Sequence, residues 1–514
     1  MRSRSASPFG ASKTPRVAII GAGFGGICAG VKLIRAGIDT FTIFEKSDGI
    51  GGTWWENRYP GAEVDTESNL YSFSFKPYGW TRTHAGRAEL LRYIDEIVDE
   101  FHLRPHLRLR TAVKKAVWDE ASHTYVLTLE DGREERCHVL ISAVGFLNTP
   151  RFPDWPGLSD FRGPKFHTAR WEDHDLRGKR VAVVGTGSSA AQIVPSIAPT
   201  VAQLYVFQRE PASVMPKGVH EYTAAERAAL ERPLARRIDR AKLFLTYERN
   251  VFARRPGTAR NQAATDARER YVRATFGARP ELMEALIARY PMHGKRVVRD
   301  DNFYPALLRD NVTLVPHAVT RVLPSGIVDE TGVERDVDVI VMATGFQAAN
   351  FLASVEIVGR GGSTLQQAWA GDPKAFLGIT VPGFPNFYML YGPNTNGLTI
   401  LFNLEQQAGY AVSDVRRMAR SGITSLEVRP AFMAAYDRWL QRRLAKFPAW
   451  TVANNYYKSP SGRVVTQWPG GAFRYWLMTR LLRRISSRAG RRSVTREVPE
   501  HARGDAAPRV SHDM

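Results

Sequence analysis

Arg16-Val17-Ala18-Ile19-Ile20-Gly21-Ala22-Gly23-Phe24-Gly25-Gly26 is a short β-branched run that breaks into glycines. Residues 16–20 (RVAII) predict a buried parallel strand, residues 27–36 a helix and residues 41–44 a second strand. Glycines between such a strand and helix form a dinucleotide-binding turn. Gly21 permits the tight turn, Gly23 lets the backbone approach a pyrophosphate, and Gly26 lets helix and strand pack closely. The helix N-terminus that follows the glycines then turns its positive end toward the phosphates. Glu45 closes the second strand, where a carboxylate can accept hydrogen bonds from ribose hydroxyls.

The same plan returns downstream. Residues 180–184 (RVAVV) predict a strand, followed by Gly185-Thr186-Gly187-Ser188-Ser189-Ala190, a helix at 190–197 and a strand at 203–207. Ala190 replaces the last glycine, which the fingerprint allows. Arg209 follows Gly185 at the offset by which Glu45 follows Gly21. A carboxylate suits a free ribose 2′-hydroxyl, whereas a guanidinium suits a 2′-phosphate through charge-assisted hydrogen bonds. The first site is therefore expected to hold FAD and the second NADPH. Glu210, beside Arg209, would repel a phosphate unless it points away.

Two βαβ units define the expected fold class: α/β, with two Rossmann-like dinucleotide-binding domains. Residues 15–150 would form the first part of the FAD domain and 151–215 the first part of the NADP domain. An Ala-, Arg- and Glu-rich stretch at 216–292 reads as a helical insertion. The NADP domain resumes at 293–349, with strands at 312–315 and 337–342, and the FAD domain at 350–484. Residues 382–396 are dense in Pro, Gly and Asn and read as loops, before helices at 404–421 and 431–446. The ends, 1–14 and 485–514, are expected to be disordered basic tails.

Composition narrows the function classes. The net charge of +20 invites a nucleic-acid partner, but it is spread along the chain and concentrated at both ends without a recognised nucleic-acid motif. No apolar run has the length of a membrane span, and residues 1–16 lack the apolar core of a secretory signal. Two cysteines, Cys28 and Cys137, rule out a disulfide framework, a cysteine zinc cluster and a CxxC reductase. A cytoplasmic enzyme without a metal site is expected.

Beyond the first turn lies Gly51-Gly52-Thr53-Trp54-Trp55-Glu56-Asn57-Arg58-Tyr59-Pro60-Gly61-Ala62-Glu63-Val64-Asp65. Its small residues, Gly52 and Thr53 among them, would admit a flat ring system, with Trp54 as a wall. Between the two nucleotide folds comes Phe161-Arg162-Gly163-Pro164-Lys165-Phe166-His167-Thr168-Ala169-Arg170-Trp171. This resembles the FxGxxxHxxxW fingerprint of Baeyer–Villiger monooxygenases, a resemblance that covers roughly residues 15–480. Gly52 to Asp65 is similar to the family's GxWxxxxYPGxxxD motif, which implies that Asp65 contacts the active-site arginine. Lys295-Arg296 resembles the family's pair in which the lysine helps bind NADPH and the arginine serves catalysis. Ala343-Thr344-Gly345 resembles the segment linking the two domains, and Gly392-Pro393-Asn394 the loop near the flavin. Glu172, Ala143-Val144-Gly145 and Glu210 depart from the usual pattern.

The resemblance implies that NADPH and O₂ convert a ketone into an ester or lactone through a C4a-peroxyflavin, with Arg296 stabilising anionic oxygen and Asp65 orienting it. Two alternatives share these nucleotide sites: an oxygenase of nitrogen or sulfur, and a flavin-binding sensor without turnover. Trp171 and the Asp65–Arg296 pair favour ketone chemistry over the first, and steady NADPH turnover with product formation would exclude the second.

Overall fold

The computed structural model describes residues 14–251, 257–397, 399–447, 449–452 and 455–491. Two five-stranded sheets, each parallel throughout, organise it. The first runs Phe387–Met389, Val139–Ser142, Val17–Ile20, Phe41–Phe44, Leu107–Arg108. The second runs Val312–Val315, Gln203–Phe207, Arg180–Val184, Val339–Met342, Lys165–His167. Val17–Ile20 and Val339–Met342 are buried at every position, as strands covered on both faces must be. That burial explains why they read as continuous β-branched runs rather than as alternating ones.

Each sheet delivers a glycine turn from its central strand. Helix Phe24–Arg35 follows the first turn and packs on the long helix Ile400–Ser421. Helix Ser188–Ile197 follows the second. In the expected insertion, the described residues carry helices Ala224–Glu231, Pro233–Asn250, Ala259–Phe276 and Pro280–Leu286.

Two expectations are corrected. The loop-like stretch 382–396 contains the edge strand Phe387–Met389, three buried residues between turns too short to show a period. The basic end also begins later than residue 485. Helix Ala472–Ser486 runs into strand Ser487–Gly490, which pairs antiparallel with Ser425–Val428. Ser-Arg-Ala-Gly carries no strand-like apolar signal, yet backbone pairing and one ion pair hold the strand. Arg488 donates to both carboxylate oxygens of buried Glu427, at 2.9 and 3.0 Å. The rest of the expected tails, residues 1–13 and 492–514, lies outside the described residues.

Ending the chain after Arg484 is therefore expected to destabilise the protein. It removes one partner of a buried charged group, a loss of roughly 1–3 kcal/mol, and Arg360 and the Gly383 N–H remain as partners of Glu427. Thermal unfolding of the flavin-loaded protein measures this, and an unchanged midpoint would show that the strand contributes nothing.

Candidate active site

The first glycine turn is held by close backbone packing. A methyl group on Gly26 would lie 1.9 Å from the Gly21 carbonyl oxygen, so only glycine lets helix and strand approach this far. Gly23 faces Gly52, where an added Cβ would come within 2.9 Å of the Gly23 Cα. Glu45 is buried and accepts the Ala22 N–H at 2.7 Å and the Ser47 N–H at 2.9 Å. Its carboxylate thus braces the turn from the strand end at which sequence placed it. Trp54 donates its indole N–H to the Tyr71 hydroxyl (3.0 Å) and meets that ring edge-on.

A single cavity of about 760 Å³ runs from this turn to the second one. Gly21, Gly23, Phe24, Glu45, Gly52, Thr53 and Trp54 line one end. Thr186, Gly187, Ser188, Ser189 and Arg209 line the other. Arg209 is exposed and makes no ion pair among the described residues, which leaves its guanidinium available to a phosphate. Three candidates lie off the cavity. Gly26 and Gly185 act through packing, Gly185 against the Ala343 carbonyl. Asn394 is buried and turned inward, its amide donating to the Val464 and Gln467 carbonyls at 3.0 and 3.1 Å. Asn394 therefore ties two loops together, and the side chain beside it in the cavity is Tyr391.

Asp65 and Arg296, 231 residues apart in sequence, meet on the cavity wall in a charge-assisted hydrogen bond. Burial pushes the Asp65 carboxyl up, but the Arg296 charge and hydrogen bond more than offset this and hold it below its ordinary value. Asp65 in turn raises the Arg296 guanidinium well above its own ordinary value, against the opposing effect of burial. Arg296 is a fixed cation at any working pH. Because the Asp65 pKa is lowered, its contribution to stability is fully present above the ordinary carboxylate range and is lost only as pH falls through the lowered value.

Lys295 pairs with Glu210 and lies 5.2 Å from the Tyr290 ring centre. The expected conflict between Glu210 and a phosphate is relieved by this pairing, which neutralises the carboxylate beside Arg209. Sequence reasoning missed Tyr391 and Tyr456, which line the cavity and act electrostatically on Arg296. Neither tyrosine belongs to a motif. The one local mark is the positive φ of Tyr391, 61°, a strained backbone invisible in sequence.

The flavin-binding monooxygenase-like family model matches residues 14–358. The Baeyer–Villiger monooxygenase of Pseudomonas aeruginosa is 36% identical over 479 residues, covering 91% of this chain and 90% of that protein. That of Streptomyces coelicolor is 39% identical over 469 residues, covering 88% and 89%. Among solved structures, cyclohexanone monooxygenase from a Rhodococcus species bound to NADP⁺ superposes with a TM-score of 0.85 at 29% identity, covering 93% of this chain and 99% of that one. The chain belongs to the Baeyer–Villiger monooxygenase family.

In this family member the fingerprint packs on the second sheet and holds the linker that leaves it. Gly163 passes so near Asp338 that a Cβ would lie 2.1 Å from its carbonyl oxygen. His167 accepts the Ala169 N–H on Nδ1 (3.1 Å), so Nε2 carries the proton and donates to the Gly345 carbonyl at 3.0 Å. Burial lowers the His167 pKa and favours this neutral form. Gly345 also accepts the Arg151 N–H (2.9 Å), and Thr344 donates to the Arg151 carbonyl (2.6 Å). The linker of this Baeyer–Villiger monooxygenase family member is thereby pinned where it leaves the second sheet. Trp171 packs edge-on against Phe166, at 79° and 5.1 Å.

Proposed function

We propose that this chain binds FAD at the first turn and NADPH at the second and converts a ketone to an ester or lactone. The balanced reaction takes ketone, O₂, NADPH and a proton to ester, water and NADP⁺. The observation that carries it is the Asp65–Arg296 pair on the wall of a cavity shared by two dinucleotide turns. The residues fit both groups: the Gly23–Gly52 cradle, which a Cβ would fill, suits a flavin nucleotide, and a Cβ on Gly187 would point into open space that phosphates can use. When bound, the flavin takes hydride from NADPH and passes the electrons to O₂.

The chain's own groups supply positioning and charge. Arg296 presents a cation where negative charge develops on the carbonyl oxygen as the ketone carbon gains its new bond. Asp65 fixes the guanidinium, and Tyr391 and Tyr456 help enclose it. Arg209 meets the 2′-phosphate, while Lys295, balanced by Glu210, sits near the same nucleotide.

A ketone panel tests this, with NADPH consumption and ester formation measured together on the flavin-loaded protein. Equal molar amounts of both support the reading. Oxidation of sulfides or amines with no ketone turned over would replace it. A second expectation concerns Arg209. Arg209→Ala should raise the KM for NADPH about tenfold or more, the scale of one lost charge-assisted contact, while KM for NADH moves little. Equal losses with both nucleotides would remove Arg209 from the 2′-phosphate.

A further inference from the structure

Helix Ala472–Ser486 bears an exposed apolar stripe, Phe473, Leu477, Leu481 and Ile485, at four-residue spacing. Phe473 and Leu481 are each 61% exposed, far beyond what a buried packing face shows. Arg474, Arg480 and Arg484 alternate with these residues and are exposed, with no ion pair among the described residues. No acidic residue occurs between positions 472 and 491.

Helix Pro233–Asn250 repeats the composition. Its outer face exposes Leu234, Ile238 and Leu245, the first at 70%, together with Arg237, Lys242 and Arg249. Its two acids are engaged elsewhere: Asp239 accepts from Asn69 (2.7 Å), and Glu248 accepts the Ala472 N–H (2.7 Å). That last bond joins the two helices end to start.

We propose that the outer faces of these two helices form a docking surface for an anionic lipid bilayer, with the protein lying on the membrane. Apolar side chains interleaved with unpaired cations are what an interfacial helix presents to headgroups and the acyl boundary. Charge complementarity decides against a second copy of this chain, because six cations without ion pairs would face their equivalents while the two carboxylates of these helices are turned to partners within the chain. No described helix is long and apolar enough to cross a membrane, so the contact is peripheral.

The inner face of Pro233–Asn250 gives the placement a consequence. Tyr247 donates to Glu67 (2.8 Å), Arg240 donates to the Asn69 carbonyl (2.6 Å), and Phe244 packs on Phe402. These partners adjoin Asp65, Tyr71 and Leu404 of the cavity wall. A docked protein would set the wall of its catalytic cavity beside the bilayer, where an apolar substrate concentrates.

Sedimentation of the flavin-loaded full chain with vesicles tests the proposal without substrate, so its outcome is independent of the reaction. Vesicles of phosphatidylglycerol and phosphatidylcholine are compared with vesicles of phosphatidylcholine alone. The wild type should sediment with the anionic vesicles only. The variants F473E/L481E and I238E/L245E should each reduce the bound fraction about tenfold, since each exchanges apolar contact for repulsion, with flavin content unchanged. A variant that sediments like the wild type removes its helix from the surface. Equal binding to both vesicle types overturns the charge-directed reading. Absence of vesicle binding, with a wild-type dimer in light scattering that F473E/L481E abolishes, makes the face a self-interface and overturns the proposal.

Discussion

Arg296→Ala is expected to bind FAD and accept hydride from NADPH while forming ~10²–10³-fold less ester, the usual cost of one lost preorganised electrostatic contact. Consumed NADPH should then appear as hydrogen peroxide. The glycine turns, Glu45 and Arg209 are untouched by the substitution, so both proposed nucleotide sites persist, and only the cation on the cavity wall disappears. Asp65→Ala should resemble it in kind, because the guanidinium loses the carboxylate that fixes it. Lys295→Ala offers the contrast. Its ammonium is engaged by Glu210 away from the Asp65–Arg296 pair, so the change should appear mainly in NADPH binding. Rapid-mixing absorbance separates flavin reduction from reoxidation, and product analysis measures the coupling. Normal ester yield from Arg296→Ala would show that the cation is structural.

Much of the nucleotide-binding architecture was legible because its signals are local. Phe41–Phe44, Arg180–Val184 and Gln203–Phe207 form where β-branched and aromatic runs predict them. The Asp65–Arg296 meeting was legible only through family resemblance, since no periodicity links residues 231 positions apart. What stayed hidden depends on side-chain direction or on pairing between weak strands. Asn394 was expected at the flavin but points into the protein, a matter of rotamer and loop path. Glu210 looked unfavourable beside a phosphate until Lys295 was seen to neutralise it. Ser487–Gly490 has the composition of a tail, and its strand exists because Ser425–Val428 offers an edge and Glu427 offers a charge.

Two glycine substitutions with opposite packing consequences should separate building a nucleotide fold from using one. Gly26→Ala places a methyl carbon 1.9 Å from the Gly21 carbonyl oxygen, which is backbone and cannot swing aside. Gly21 itself cannot yield easily: its N–H donates to Phe44 at 2.7 Å, and its own Cβ position lies 2.8 Å from the Ala143 carbonyl oxygen. Overpacking of a close-packed site costs typically 1–3 kcal/mol, and here it falls on the turn proposed to hold the flavin. Flavin per mole of purified Gly26→Ala protein should therefore drop to about a tenth or less, each tenfold corresponding to ~1.4 kcal/mol. Gly187→Ala is the reverse case. Gly187 has φ −75°, which any residue adopts, and an added Cβ meets nothing within 4 Å. The chain should fold with full flavin and an unchanged melting midpoint. The new methyl group would nonetheless stand where the backbone must approach a pyrophosphate, so KM for NADPH should rise about tenfold. Absorbance of bound flavin, thermal unfolding and steady-state kinetics on the two variants distinguish these effects. A fully flavinated Gly26→Ala would mean that the helix can shift without losing its ligand, and an unchanged KM in Gly187→Ala would place the NADPH phosphates elsewhere in the cavity.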